Sequence, residues 1–282
     1  EKLLKNGCMF SSANSINIGR LIPQIVYYAY AYCKLLSWGE ISPGDTINFT
    51  VPTGNFGNIL AAYYAKKIGV PINKLICASN INNVLYDFIN TGIYDRNRDL
   101  ILTSSPSMDI LVSSNLERLL YDISGCDPSM VRQLIKDLNR SGKYQISRKM
   151  KENLSSFYGG YSTEEETLDA ISDAYNSLGY LIDTHTAVGF DVYKKYLKDT
   201  NDHSPNIIVS TASPFKFPAS VIKALGKKID IENEISLIGK LSETTGIDIP
   251  KSIKGIGKKQ VLHKKVIQKE GMRHTISSIL GL

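Results

Sequence analysis

Cysteine is scarce in this chain and scattered where it occurs: Cys8, Cys33, Cys77 and Cys126 form no Cys-x-x-Cys pair. That spacing argues against a zinc site and a disulfide scaffold, and it suits a reducing cytoplasm. Long apolar runs are missing too. The nearest candidate, Leu21 to Trp38, is interrupted by Pro23, Gln24 and Lys34 and carries tyrosines at 27, 28, 30 and 32. It reads as a core helix rather than a membrane span, and no membrane partner is expected. The chain opens without a signal-peptide layout and without an initiator Met, and so reads as the interior of something longer. Internal repeats and low-complexity tracts are also absent.

What is present, 282 residues with 43% hydrophobic content, is enough to bury a large core in one large domain or two smaller ones. The formal charge of +6 is concentrated near the end, where Lys251 to Arg273 holds eight basic residues against Glu270 alone. No aromatic residues interleave with those charges. A solvated lysine face is therefore expected there rather than a nucleic-acid site.

Thr46-Ile-Asn-Phe-Thr-Val51 reads as a short buried strand. Phe56 to Ile68 reads as the following helix, with Ile59, Leu60, Tyr63, Tyr64 and Lys67 at helical spacing. Between them, Val51-Pro-Thr-Gly-Asn-Phe-Gly-Asn58 sets two glycines at a helix N-terminus, where backbone N–H groups lack partners and the macrodipole is positive. Gly54 and Gly57 allow close approach to a phosphate, and Asn55 and Asn58 offer further donors. A tight βα turn that binds nothing fits the glycine spacing equally well. Two nucleotide motifs fit worse: the Gly-Lys-Ser/Thr ending of a P-loop is absent, and Ile59 or Leu60 stands where a dinucleotide fingerprint needs its third glycine.

A long helix from about Asn17, a strand Lys74 to Ala78 and a helix from about Asn82 continue the βα alternation. It predicts an α/β fold with a mostly parallel sheet flanked by helices. An apolar start at Cys8-Met-Phe10 precedes them. From Asn115 to about Leu178 the pattern turns helical and charged, with Thr163 and Glu166 forming a capping box before Leu168, Ile171 and Ala174. A helical insertion at about 115–178 is expected. Asn206 to Ser210 predicts another buried strand; since strand carboxyl ends line the crevice of an open α/β sheet, Thr211 is expected near Gly54 in space if both strands share the sheet.

Four stretches in this order carry a resemblance: Ser11-Ser-Ala-Asn-Ser-Ile-Asn-Ile-Gly-Arg20, the Gly-Asn-Phe-Gly-Asn loop, Asp183-Thr-His-Thr-Ala187 and Ser210-Thr-Ala-Ser-Pro214. With them the chain closely resembles the threonine synthases over most of its length. The loop alone fits several relatives, whereas the Ser-Ala-Asn-Ser-Ile-Asn-x-x-Arg stretch is more particular to this family. The resemblance implies the tryptophan synthase β-like fold of pyridoxal-phosphate enzymes. It implies pyridoxal 5'-phosphate as cofactor, no metal, and a cytoplasmic monomer or homodimer. The implied reaction belongs to threonine biosynthesis and is that of a carbon–oxygen lyase acting on phosphates: O-phospho-L-homoserine and water give L-threonine and phosphate. In domain terms it implies 1–17 as the end of a smaller domain and hinge, 18–226 as most of the large cofactor-binding domain, and 227–282 as a C-terminal helical extension with a basic tail.

Carried over by residue, the resemblance puts the cofactor phosphate on the backbone of Gly54, Asn55, Phe56, Gly57 and Asn58. Thr211 takes the pyridine nitrogen, a neutral hydroxyl where other pyridoxal folds use a carboxylate. Ser15, Asn17 and Arg20 are the expected substrate contacts, the arginine through a forked contact to phosphate or carboxylate. Pairing of Arg20 with an interdomain carboxylate is the alternative, and Asn14 reads as a turn residue. His185 invites a general-base reading, with a buried orienting or helix-start histidine favoured over it. Lys216 is expected to be structural or to contact anions.

One departure qualifies the resemblance. These enzymes hold the cofactor as a Schiff base on the lysine of a His-Gly-Pro-Thr-x-x-Phe-Lys-Asp-like stretch, which does not occur here; Lys136-Asp137 and Lys198-Asp199 lack the preceding His-Gly-Pro. The expectation is a C-terminal fragment with no catalytic residue of its own, inactive by itself. The alternatives are another pyridoxal-phosphate lyase, such as a threonine or serine dehydratase, and a non-catalytic threonine-synthase-like binding protein.

Overall fold

Strand β1 (Ile47–Pro52) is buried along its whole length, as a strand covered by helices on both faces must be. The computed structural model describes residues 2–12, 14–228 and 233–282; Glu1, Ala13 and 229–232, which fall within the expected hinge and C-terminal extension, lie outside the described residues. On one side β1 pairs in parallel with β2 (Ile72–Ser79), setting Val51 opposite Cys77. On the other it pairs in parallel with β6 (Asn206–Ile208), setting Thr50 opposite Ile208. Parallel β5 (Phe157–Tyr161) completes a four-stranded sheet of order β5-β2-β1-β6. A separate antiparallel pair joins β3 (Ile93–Asp95) to β4 (Lys143–Gln145).

The helices are α1 (Lys2–Lys5), α2 (Ile18–Trp38), α3 (Gly57–Lys67), α4 (Val84–Thr91), α5 (Leu116–Ile123) and α6 (Pro128–Ser141) in the first half. They continue with α7 (Arg148–Glu152), α8 (Glu164–Leu178), α9 (Thr184–Thr200), α10 (Pro218–Ala224), α11 (Glu234–Thr245) and α12 (Met272–Ile279). Alternation along β2 sorts them into layers, because successive strand residues face opposite sides. Leu75 and Cys77 enter the core shared with α2, α3 and α4, while Ile76 and Ala78 pack with Val188, Val192 and Tyr196 of α9. A further apolar cluster joins α8, α10 and α11 through Ile171, Val221, Ile222 and Leu241. The architecture is α/β with a parallel sheet flanked by helices, and no helix among the described residues is long and apolar enough to cross a membrane.

Two expectations are revised. The stretch 115–178 is not wholly helical, since it also holds β4 and β5, and β5 belongs to the main sheet. Gly159 and Gly160 hide that strand from a propensity reading. Packing demands them: a Cβ on Gly160 would stand 2.5 Å from Val192 Cγ1 of α9, and one on Gly159 would stand 3.1 Å from Ile89 Cβ of α4. The apolar start at Cys8-Met-Phe10 forms no element, and Met9 and Phe10 are exposed. The capping box is present at the start of α8.

Burial pushes the Cys77 thiol up to about 12, whereas Cys33 and Cys126 are exposed. Because the thiolate is the reactive form, iodoacetamide should alkylate Cys33 and Cys126 in the folded protein and Cys77 only after denaturation. Peptide mass mapping checks this; labelling of Cys77 under native conditions would contradict the buried β2.

Candidate functional site

The carboxyl ends of β1 and β6 open into a crevice of about 990 Å³, at the upper end of the roughly 300–1,000 Å³ usual for small-molecule sites. Its lining includes Arg20 and, among the described residues, no Asp or Glu. That balance favours an anion.

The floor is the turn from β1 into α3. Phe56 caps the helix with φ of 64°, a left-handed conformation that costs a non-glycine residue about 1–3 kcal/mol. Its ring offsets that strain by burial, at 1% exposure and 6.0 Å from the Phe157 ring. The backbone N–H groups of Gly54, Asn55, Phe56, Gly57 and Asn58 have no acceptor among the described residues. The carbonyls are held back instead: Ser113 Oγ donates to Gly54 O at 2.7 Å. Asn115 donates to Asn55 O from Nδ2 at 3.0 Å and from its backbone at 3.2 Å. With the oxygens tied away, the donors face the crevice at a helix N-terminus.

Both glycines are required by close approach. A Cβ on Gly54 would lie 2.6 Å from Ser107 O, and one on Gly57 would lie 2.8 Å from Ser15 Cβ. Ser15 is held there by Asn115, whose Nδ2 donates to Ser15 Oγ at 2.9 Å. The Tyr28 hydroxyl stands 2.8 Å from Asn58 Oδ1; burial raises its pKa strongly, so it remains a protonated donor.

The wall above Gly54 is the turn Pro106–Met108. The Asp109 carboxylate anchors its flank, accepting from Asn80 Nδ2 at 2.7 Å, Thr103 Oγ1 at 2.7 Å and Thr103 N at 2.8 Å. From the far side comes the first turn of α9, where Asp183 caps the helix by accepting from His185 N at 2.8 Å and Thr186 N at 3.4 Å. His185 Nδ1 stands 3.1 Å from Asp183 Oδ1, and Ser107 N–H donates to His185 Nε2 at 3.3 Å. The imidazole is buried, with the Phe217 ring 4.9 Å away. Burial by itself would raise the Asp183 pKa, but hydrogen bonds from His185 and Thr186 outweigh it and hold the carboxyl below its usual range.

Of the residues expected from sequence, Gly54, Asn55, Phe56, Gly57, Asn58, Thr211, Ser15 and Arg20 all line this one crevice, as does His185. Asn17 does not. Its carboxamide caps α2, accepting from Gly19 N at 2.9 Å and donating to Ser12 O at 2.9 Å. Lys216 lies outside the lining, with Nζ 5.3 Å from the Phe217 ring centroid. Sequence reasoning missed Ser113, Asn115, Tyr28 and Ser107. Asn115 carries only the signal of a helix-start residue, because its partner Asn55 lies far off in sequence.

A family model described as "Threonine synthase, C-terminal" matches residues 186–266. Threonine synthase-like 1 of Homo sapiens is 49% identical over 232 residues, covering 82% of this chain and 31% of that protein. The crystal structure of threonine synthase from yeast superposes with a TM-score of 0.82 at 32% identity, over 95% of this chain and 53% of that one. PLP-bound threonine synthase from Brucella melitensis gives 0.71 at 40% identity, over 81% and 48% of the two chains. The chain therefore spans about a third to a half of the length of these relatives.

An ionised Asp183 with a lowered folded pKa contributes stability above its unfolded value, about 3.9, and loses that contribution as pH falls through the folded value. The urea midpoint of the wild type should therefore fall more steeply than that of Asp183→Asn between about pH 6 and about pH 3. Parallel pH profiles of the two proteins would contradict the assignment.

Proposed function

The chain corresponds to the C-terminal portion of threonine synthase-like proteins, and from that premise we propose that its crevice is the cofactor and substrate site of a threonine synthase. The parent protein would convert O-phospho-L-homoserine and water to L-threonine and phosphate in the cytoplasm, as a monomer or homodimer. The observation that carries this reading is the row of five N–H groups without acceptors among the described residues at the Gly54–Asn58 turn. A phosphate is the group such a row suits, and both glycines stand where a Cβ would collide.

In this reading the N–H groups of that turn would hold the pyridoxal-phosphate phosphate, and the neutral hydroxyl of Thr211 would serve the ring nitrogen. When bound, the cofactor supplies an electron sink for negative charge at the substrate Cα. The chain's own residues bind and orient. Arg20, exposed on the first turn of α2, offers a forked cationic donor to the substrate phosphate or carboxylate. Ser15 adds a hydroxyl beside Gly57, and Asn17 fixes the turn that presents Arg20. Residues 18–226 form most of the cofactor-binding domain, with 1–17 leading in from a smaller one and 227–282 as an extension.

A second reading, cofactor binding without turnover, draws on two observations: no lysine lines the crevice among the described residues, and a 49% identical relative is named threonine synthase-like 1. Phosphate release separates the two. The full-length protein given O-phospho-L-homoserine should liberate phosphate only when pyridoxal phosphate is present; equal release without cofactor removes the synthase reading, and cofactor binding without release favours the second. Ketoacid release from threonine, with the phosphosubstrate untouched, would instead indicate a dehydratase. Gly54→Ala forces the Ser107 wall outward and should weaken binding of pyridoxine 5'-phosphate by about tenfold or more, as loss of one to two hydrogen bonds to a charged group would. Calorimetric titration reads the change.

A further inference from the structure

We propose that His185 is a positioning residue for this cradle: backed by Asp183, it holds the Pro106–Met108 turn against Gly54 and so fixes the wall facing the phosphate-binding N–H groups. The proposal rests on the crevice being a phosphate-cofactor site. A main-chain N–H can only donate, so the 3.3 Å approach of Ser107 N to His185 Nε2 makes Nε2 the acceptor. The ring proton then sits on Nδ1, 3.1 Å from Asp183 Oδ1. The imidazole is thus a bridge from a buried carboxylate to the main chain, and its basic nitrogen is already engaged.

Ser107 faces two ways. Its N–H reaches His185, while its carbonyl oxygen lies 2.6 Å from the place a Gly54 Cβ would occupy. Any shift of Ser107 therefore reaches the floor of the crevice directly. The Asp109 anchor acts on Thr103, Asn80 and Asn82, and the turn itself is closed by Met108 N donating to Ser105 O at 2.9 Å. Neither holds the Ser107 N–H. Removing the imidazole acceptor frees the tip of the turn while its base stays fixed, so the fold survives and the fit to phosphate degrades.

Two variants separate positioning from bulk packing. His185→Leu removes the acceptor but fills the space, and His185→Gln restores an amide oxygen that can accept from Ser107. Titration calorimetry would use pyridoxine 5'-phosphate, whose 4'-alcohol forms no imine with lysines, and pyridoxine, which lacks the phosphate. His185→Leu should weaken the phosphorylated ligand by about tenfold and pyridoxine by less than about twofold, with His185→Gln within about threefold of wild type, the scale of one hydrogen bond to a charged group. Equal loss for both ligands, no loss, or failure of glutamine to restore binding would overturn the proposal. A wild-type protein that does not distinguish the two ligands would remove the cradle reading itself, and the proposal with it. Should His185→Leu fail to fold, nitrogen-15 NMR of histidine in the wild type decides: a proton on Nδ1 supports the bridge, and one on Nε2 overturns it.

Discussion

The site depends on one constraint: where β1 turns into α3, the peptide oxygens are tied back and the peptide nitrogens are left open. Ser113 and Asn115 hold the oxygens of Gly54 and Asn55, and Phe56 accepts a left-handed backbone in exchange for burying its ring. Remove the tethers and the turn could satisfy its own donors; the helix end would then have little left to offer a ligand. Glycine at 54 and 57 follows from the same geometry, because Ser107 and Ser15 press in from opposite sides. Among the described residues the lining holds no carboxylate to oppose the field of the helix terminus directly.

The other end of the sheet is built for rigidity. There the Asp202 carboxylate accepts from Asn48 Nδ2 at 2.9 Å, Asn73 Nδ2 at 3.2 Å and Ser204 Oγ at 2.6 Å, and also from the Tyr196 hydroxyl. Burial works against its ionisation, but those donors prevail and hold it well below the ordinary carboxylate range. One anion thus joins the starts of β1 and β2 to the end of α9 and the lead-in to β6. The crevice sits at one end of the strands and the lock at the other. The two demands do not compete for the same residues.

Much of this was legible because it is local. The β1–α3 junction, the long helix after Asn17 and the capping box at Thr163 announce themselves within a few residues, through periodicity, capping side chains and glycine placement. The strand at Asn206 does so too, though it is shorter than expected, ending at Ile208, and half-buried rather than buried. That Thr211 lines the same crevice as Gly54 followed from strand ends sharing one crevice. What stayed hidden was what distance decides. The hold of Asn115 on Asn55 has no sequence signature, nor has the hold of His185 on Ser107. Strand β5 was concealed because its glycines answer to Val192 and Ile89, which lie elsewhere in the chain. Asn17 shows the converse: a motif placed it among ligand contacts, and a local capping bond takes both ends of its side chain.

The pairing of β1 with β6 also orders events in time. Asn48 to Thr50 find their second neighbours in Asn206 to Ile208, so one edge of β1 stays open until about 156 further residues have been made. Thr211, at the far lip of the crevice, arrives later still. A nascent chain halted before β6 carries the glycine turn and the α9 cap but not Thr211. With its open edge and late closure, β1 is exposed to mispairing until β6 arrives.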